Sequence, residues 1–136
     1  MKITLCGSMY FAKEMLEIKK HLEKSGHIVL VPSTIRDCLT KPELNMDLEF
    51  CLARNVQKEH FNTIAESDAI LVLNYEKNRI KGYIGGAVLM EMGVAQHLGK
   101  KIFLLYPPPI IEDIRYSVEI QLTRPIILNG NLNLVG

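Results

Sequence analysis

A single carboxylate, Glu91, stands among apolar residues near the second turn of a predicted helix that opens with Gly85 and Gly86. The apolar stripe predicted to face the rest of the protein consists of Ala87, Met90, Val94 and Ala95. Glu91 lies one residue off this stripe, where burial would raise its pKa or require a partner. The commoner alternative is a carboxylate near a helix start that the helix dipole stabilises. Gly93 weighs mildly against that alternative, because a mid-helix glycine costs about 1 kcal/mol relative to alanine and usually marks a close approach.

A second glycine turn, Gly7-Ser8, separates a predicted strand from a predicted helix. Such a turn lets the backbone approach a ligand and presents N–H groups, with the polarity of the helix dipole, to an anion or a sugar oxygen. A tight turn that needs a positive φ at Gly7 explains the same residues equally well. The sequence contains neither the dinucleotide-binding fingerprint nor the P-loop fingerprint.

The other polar residues give weaker signals. The four histidines have no metal-binding spacing and the three cysteines form no C-x-x-C pair, so we expect no metal site and no cofactor. Cys6 lies inside a strand and Ser8 lacks a G-x-S-x-G context, so neither is predicted to be an activated nucleophile. Asp68 directly precedes a predicted strand, and its position alone indicates a turn residue at the amino edge of a sheet.

The composition limits the class of protein. The chain has 136 residues, which suits one domain spanning residues 1–136, and 48% of them are hydrophobic. A formal net charge of +1 provides no global field for nucleic acid or an acidic membrane surface, so we expect a small-molecule partner and neither of those. We find no signal peptide and no long apolar run, so we expect a cytoplasmic protein.

Strands and helices alternate along the chain. Strands are predicted at residues 3–6, 27–31, 69–73, 101–105 and 125–128, helices at residues 11–25, 47–66, 85–97 and 110–122, and a long loop at residues 33–45. This alternation predicts an α/β fold, flavodoxin-like or Rossmann-like, with a five-stranded parallel sheet and helices on both faces. Ligands bind such sheets outside the carboxyl ends of the strands, where the strand order reverses. The Gly7-Ser8 turn, Asn74 and the loop before Gly85 should meet at this edge.

Three segments together resemble the nucleoside 2-deoxyribosyltransferase family and the related 2'-deoxynucleoside 5'-phosphate N-hydrolases. They are Ile3-Thr4-Leu5-Cys6-Gly7-Ser8, Asn62-x-Ile64-x-x-Ser67-Asp68-Ala69-Ile70 and Glu91-Met92-Gly93-x-Ala95-x-x-x-Gly99-Lys100. The third segment is the most specific. The similarity runs from Met1 to about Pro107, so the chain is expected to form a single domain of this type.

The resemblance implies that Glu91 is the nucleophile that attacks the anomeric carbon of a deoxyribosyl group and forms a glycosyl-enzyme intermediate. It places Asp68 in the active-site set and packs the Gly7-Ser8 turn against the bound nucleoside. The backbone of Gly85 and Gly86 would bind a 5'-phosphate at the helix start. The resemblance also implies a homodimer or larger homo-oligomer whose sites borrow residues from a neighbouring subunit.

Two family features are absent from the chain. Transferases carry an aspartate about six residues before the nucleophile, where this chain has Gly85, and a tyrosine in the first strand, where it has Thr4 and Leu5. Tyr10, in the following loop, is the candidate to replace that tyrosine, and it joins Asn74 in the predicted substrate-binding set. The missing aspartate slightly favours hydrolysis over base transfer. Two alternatives stay open: a non-catalytic nucleotide-binding or sensing domain, and a phosphoribohydrolase of the lysine decarboxylase-like type, whose G-G-x-G-T-x-x-E motif the chain does not match.

Overall fold

The computed structural model describes residues 1–136 and contains five strands. They are β1 (Lys2–Cys6), β2 (Ile28–Leu30), β3 (Ala69–Val72), β4 (Lys101–Leu104) and β5 (Ile126–Ile127). The helices are α1 (Ala12–Lys24), α2 (Ile35–Thr40), α3 (Leu48–Arg54), α4 (Val56–Ala65), α5 (Gly86–His97) and α6 (Ser117–Leu122), with short 3-10 turns at Met9–Phe11, Pro42–Met46 and Leu132–Val135. None of the helices has the length and apolar character needed to cross a membrane.

The sheet is entirely parallel, in the order β2-β1-β3-β4-β5. The predicted five-stranded α/β fold with flavodoxin-like strand order is therefore confirmed. The chain moves outward from β1 to β2 and then crosses back to β3, so the strand order reverses between β1 and β3. That reversal leaves a crevice at the carboxyl ends of these two strands, beside Cys6 and Val72, which pair in the register.

Alternating side chains of each strand enter two separate apolar clusters, one on each face of the sheet. From β1, Ile3 and Leu5 join the cluster that packs beneath α1 and α2, whereas Cys6 joins the cluster beneath α4, α5 and α6. Both faces are therefore covered by helices, as predicted. Because side chains alternate between the two faces along β1, the thiol of Cys6 faces α4 and α5.

Three predicted elements differ from the structure. Residues 33–45 contain α2 and a 3-10 turn rather than a loop, because Ile35 and Cys38 lie one turn apart and are both buried against the core. The helix predicted over residues 47–66 is two helices, broken where Asn55 adopts a left-handed φ of 49°. Of the helix predicted over residues 110–122, only α6 forms.

Helix α5 is rotated from its predicted orientation. Its buried residues are Val88, Met92 and Ala95, whereas Ala87 and Met90 are exposed. Glu91 is three residues after Val88 and four before Ala95, so it lies on the same face of the helix as these buried residues. The expectation that Gly93 marks a close approach is wrong within this chain, because a Cβ at that position would meet nothing within 4 Å.

Replacing Gly93 with alanine is therefore expected to stabilise the protein by about 1 kcal/mol, because alanine loses less backbone entropy in a helix. Urea denaturation followed by circular dichroism measures the change. Gly99, at the end of the same helix, has a φ of +72° and open space around it, so Gly99→Ala serves as the control and should destabilise. A loss of stability in Gly93→Ala would instead indicate that another molecule covers this face.

Candidate active site

Glu91 lies in the first half of α5 with its side chain only 14% exposed, and it faces two other polar side chains. His60, on α4, places Nε2 3.8 Å from Glu91 Oε1. Cys6, at the end of β1, places Sγ 3.6 Å from the same His60 nitrogen. The ligand atoms of the three residues all lie within 4.8 Å of one another. We refer to Cys6, His60 and Glu91 as the polar triad.

Burial shifts the pKa of every member of the triad. It raises the pKa of Glu91 to about 7, although a hydrogen bond from Cys6 opposes this shift. It lowers the pKa of His60 to about 4, so the imidazole is neutral at neutral pH and its contact with Glu91 is not an ion pair. The pKa of the Cys6 thiol is raised by burial and by the Glu91 charge, so Cys6 keeps its proton and can donate it to the carboxylate.

Two members of the triad line one of two adjoining cavities that together form a cleft. The first has a volume of about 230 Å³ and includes His60 and Glu91 in its wall, together with Thr34, Asn45 and Gln57. The second has a volume of about 220 Å³ and is lined by Ser8, Lys77, Tyr83, Gly85 and Gly86. Both cavities share Gly7, Asn45, Ala87 and Val88. Glu91 is the only carboxylate among the residues that line the cleft.

Gly7 is closely packed at the crevice and has no special φ. A Cβ at this position would lie 3.3 Å from the carbonyl oxygen of Leu73. Gly7 is not among the residues with a positive φ, so the explanation of this turn by a left-handed conformation is wrong. The absence of a side chain lets the end of β1 approach the end of β3 and leaves the backbone of Gly7 open to the cleft.

The second cavity has the donors of an anion site. Lys77 Nζ donates to Ser8 Oγ at 3.1 Å, and the Tyr10 backbone N–H donates to the same oxygen at 3.2 Å. The hydroxyl proton of Ser8 is therefore left to donate elsewhere. The first N–H groups of α5, at Gly86 and the two residues after it, have no partner within the protein, and the positive end of the helix dipole lies there.

Gly7, Ser8, Gly85, Gly86 and Glu91 thus meet at one cleft, whereas Asp68 does not. Asp68 is exposed at the amino end of β3, where its Oδ2 accepts a hydrogen bond of 2.8 Å from the Lys2 backbone N–H. Because parallel strands place their amino and carboxyl ends at opposite edges of the sheet, this carboxylate cannot reach Glu91. The structure corrects its assignment as a catalytic residue.

Asn74 and Tyr10 also differ from their predicted roles as substrate-binding residues. The buried side chain of Asn74 hydrogen bonds both to the carbonyl oxygen and to the N–H of Tyr106, so it joins the loops after β3 and β4 and lies outside the cleft. Tyr10 is 68% exposed, and its ring lies 5.3 Å from Lys77 Nζ at the rim. It does not line the cleft and cannot replace a tyrosine beside Glu91.

Cys6, His60, Lys77 and Tyr83 are the site residues that the sequence interpretation missed. His60 and Ile64 are both buried on α4 at a spacing of four residues, which is the signal that could have placed this histidine inward. Lys77 lies in a charged loop with no motif around it. Its ammonium lies 5.4 Å from the centre of the Tyr83 ring, a contact that only the folded loop creates.

A larger cavity of about 750 Å³ lies between the loops that follow β3 and β4. Its charged residues are all exposed, and they are Glu76, Arg79, Lys81 and Asp113. It contains no partly buried carboxylate, thiol or imidazole. The arrangement of groups suited to chemistry is therefore at the smaller cleft, even though the larger cavity offers more space.

Comparison with known proteins finds no matching family model, no matching curated protein and no matching solved structure. The function of the cleft has to be inferred from its geometry and from the motifs that line it.

Proposed function

We propose that this protein cleaves or transfers the N-glycosidic bond of deoxynucleosides or their 5'-monophosphates, with Glu91 as the nucleophile. One observation carries this proposal: a mostly buried carboxylate opens into a cleft at the switch point of the sheet, beside glycine turns that a sugar and a phosphate can approach. The resemblance of the three sequence segments to deoxyribosyltransferases and N-hydrolases supports the same chemistry.

In this mechanism a carboxylate oxygen of Glu91 attacks C1' of the deoxyribose as the C1'–N bond breaks and its electron pair leaves with the base. The resulting glycosyl ester is then cleaved by water, which gives the free sugar, or by a second base, which gives a new nucleoside. Cys6 is assigned a positioning role, because its thiol contacts His60 Nε2 and lies within 4.8 Å of the carboxylate, where donating its proton would favour the reactive ionised form. Neutral His60 contacts both Cys6 and the carboxylate without neutralising the carboxylate.

The departing base must gain a proton, and no second carboxylic acid lines the cleft to supply it. The amides of Asn45 and Gln57 can hydrogen bond to a base edge but are not acids. We therefore assign base protonation to water in the cleft. With Gly85 in place of the transferase aspartate, hydrolysis is favoured over transfer to a second base.

The second cavity supports a 5'-monophosphate as the better substrate. A phosphate placed there would meet the ammonium of Lys77, the hydroxyl of Ser8 and the free N–H groups at the start of α5. The first cavity would then hold the sugar and the base beside Glu91.

A homodimer or larger homo-oligomer is part of this proposal. Exposed apolar surface runs along α4 and α5 beside the site, and Phe61, Met90, Gly93, Val94, His97 and Leu98 line a shallow groove in it. A second copy of the chain would cover this surface, so the gain expected for Gly93→Ala applies to the monomer and would be reduced in the oligomer. All three cysteines are free thiols, which suits the reducing cytoplasm that we propose as the location.

A non-catalytic nucleotide-binding or sensing domain is the second candidate. The observation in its favour is that the cleft contains no second carboxylic acid to protonate the base. This candidate predicts saturable nucleotide binding by calorimetry with no release of base after long incubation.

The discriminating experiment is incubation of the protein with deoxynucleosides and their 5'-monophosphates, with and without a free acceptor base, followed by chromatography. Released base without an acceptor identifies a hydrolase, and a new nucleoside that forms only with the acceptor identifies a transferase. If no substrate yields free base or a new nucleoside, the catalytic proposal is wrong.

Replacing Lys77 with methionine is expected to raise the KM for a deoxynucleoside 5'-monophosphate by about 10- to 100-fold, because a charged hydrogen bond to phosphate is lost. The KM for the matching deoxynucleoside should stay unchanged. Steady-state kinetics with both substrates measures this difference. Lys81→Met is the matched control, because Lys81 is exposed in the same loop and lies outside the cleft. An equal loss on both substrates would contradict a phosphate role for Lys77.

A further inference from the structure

The polar triad also has the composition and spacing of a metal site. A thiol sulfur, an imidazole nitrogen and a carboxylate oxygen lie within 4.8 Å of one another. In a tetrahedral zinc site with bonds of about 2.0 to 2.3 Å, neighbouring ligand atoms are about 3.3 to 3.6 Å apart. The distance of 3.6 Å from Cys6 Sγ to His60 Nε2 matches this spacing, and the distance of 3.8 Å from His60 Nε2 to Glu91 Oε1 exceeds it only slightly.

His60 lacks the hydrogen bonds that a buried imidazole normally has. Its side chain is 7% exposed, and Nδ1 makes no hydrogen bond of good geometry, its polar neighbour being the backbone of Leu5. Nε2 has only the weak contact with the Cys6 sulfur and a separation from Glu91 that is too long for a hydrogen bond. Because buried polar groups are nearly always paired, Nε2, which faces both Cys6 and Glu91, has room for a stronger partner between them.

We propose that Cys6, His60 and Glu91 bind a divalent metal ion of borderline softness, with Zn²⁺ as the type, and that its fourth coordination position faces the cleft. A thiolate and an imidazole favour Zn²⁺ over Mg²⁺ or Ca²⁺, which prefer oxygen ligands. Binding displaces the thiol proton of Cys6 and the carboxyl proton of Glu91 where it is present. The two anionic ligands then balance the charge of the ion, which suits a buried site.

The metal and the proposed glycosyl chemistry would exclude each other, because a coordinated Glu91 carboxylate is no longer free to attack a sugar. This consequence rests on the proposed function, whereas metal binding itself does not. The cleft provides the entry path, since His60 and Glu91 both line it. The sequence shows no metal motif because the ligands come from β1, α4 and α5.

Metal binding is tested on the full chain without any substrate. The protein is stripped with EDTA, dialysed and titrated with Co²⁺, which reports both a thiolate ligand and tetrahedral geometry by its absorption. We expect a thiolate-to-cobalt band that saturates at one ion per chain and disappears when Zn²⁺ is added. The absence of this band in the wild-type protein would overturn the proposal, whatever the outcome of the nucleotide assays.

Variants then identify the ligands. Cys6→Ser should lose the thiolate band, whereas the double variant Cys38→Ser and Cys51→Ser, which removes the other two thiols, should keep it. His60→Gln and Glu91→Gln should each weaken Zn²⁺ binding by at least about 100-fold, since even residues outside the first coordination shell of zinc change affinity by 10- to 100-fold. If Cys6→Ser does not fold, these two variants decide the question. Unchanged Zn²⁺ affinity in a folded His60→Gln protein would overturn the proposal.

Discussion

Replacing Glu91 with glutamine is expected to reduce base release by at least about 1000-fold, because an amide cannot act as the nucleophile. Glutamine has nearly the same shape and can still accept a hydrogen bond from Cys6, so the fold should be kept. Chromatography of released base measures the loss, and Glu112→Gln serves as the control because that carboxylate is exposed and outside the cleft. Base release at the wild-type rate would show that Glu91 is not the nucleophile.

The same variant should be more stable than the wild type at alkaline pH. The pKa of Glu91 is raised from 4.5 to about 7 in the folded protein, so folding favours the protonated carboxyl. The associated stability is fully present below pH 4.5 and is lost as the pH rises to about 7. The shift corresponds to roughly 3 kcal/mol, so Glu91→Gln should gain about that much over the wild type at pH 8 and almost nothing near pH 4.

Denaturant unfolding at several pH values, in buffer that contains EDTA, measures this gain. In the proposed mechanism only the ionised carboxylate attacks the sugar, so base release by the wild type is expected to rise as the pH increases through about 7. A carboxylate that makes the fold less stable while it serves the reaction is typical of a functional group. If Glu91→Gln were less stable than the wild type at pH 8, the carboxylate would instead have a structural role.

Replacing Gly82 with alanine is expected to destabilise the protein by about 2 to 4 kcal/mol, because backbone strain and overpacking add at this position. Gly82 has a φ of +70°, and a Cβ there would lie 2.2 Å from the carbonyl oxygen of Pro107. The backbone at Gly82 and the backbone at Pro107 can separate only if the loop that leads into α5 shifts. Tyr116 holds the same loop, since its hydroxyl donates to the Ile84 carbonyl oxygen at 2.6 Å.

Urea denaturation measures the effect, and Gly26→Ala is the matched control. Gly26 has a φ of +94° but nothing within 4 Å of the added Cβ, so only the backbone term of about 1 kcal/mol applies there. An equal loss in both variants would show that the contact with Pro107 does not constrain the loop. A larger loss in Gly82→Ala is expected to come with weaker nucleotide binding, because the same loop precedes Gly85 and Gly86.

The sequence by itself determined the sheet and the edge of the sheet at which the candidate site lies. The apolar runs of β1, β3 and β4 and the helices between them predict a parallel α/β sheet, because these patterns reflect local periodicity. Parallel topology then brings the Gly7-Ser8 turn and the Gly85-Gly86 helix start to one edge. Element boundaries were less well predicted, as at Asn55, where a single residue in the left-handed conformation that asparagine tolerates at helix ends divides one predicted helix into two.

The tertiary structure decided which side chains meet at that edge. Cys6, His60 and Glu91 meet because the side chain of Cys6 points to the α4 and α5 face of the sheet and because these two helices are rotated so that His60 and Glu91 face it. Neither the facing of the strand nor the rotation of the helices is encoded within a short window of sequence. The same packing places Asp68 at the opposite edge of the sheet. It also pairs the side chain of Asn74 with the backbone of Tyr106. Periodicity identifies a helix or a strand, but the rotation of each element is set by long-range burial, and the chemistry of the site depends on that rotation.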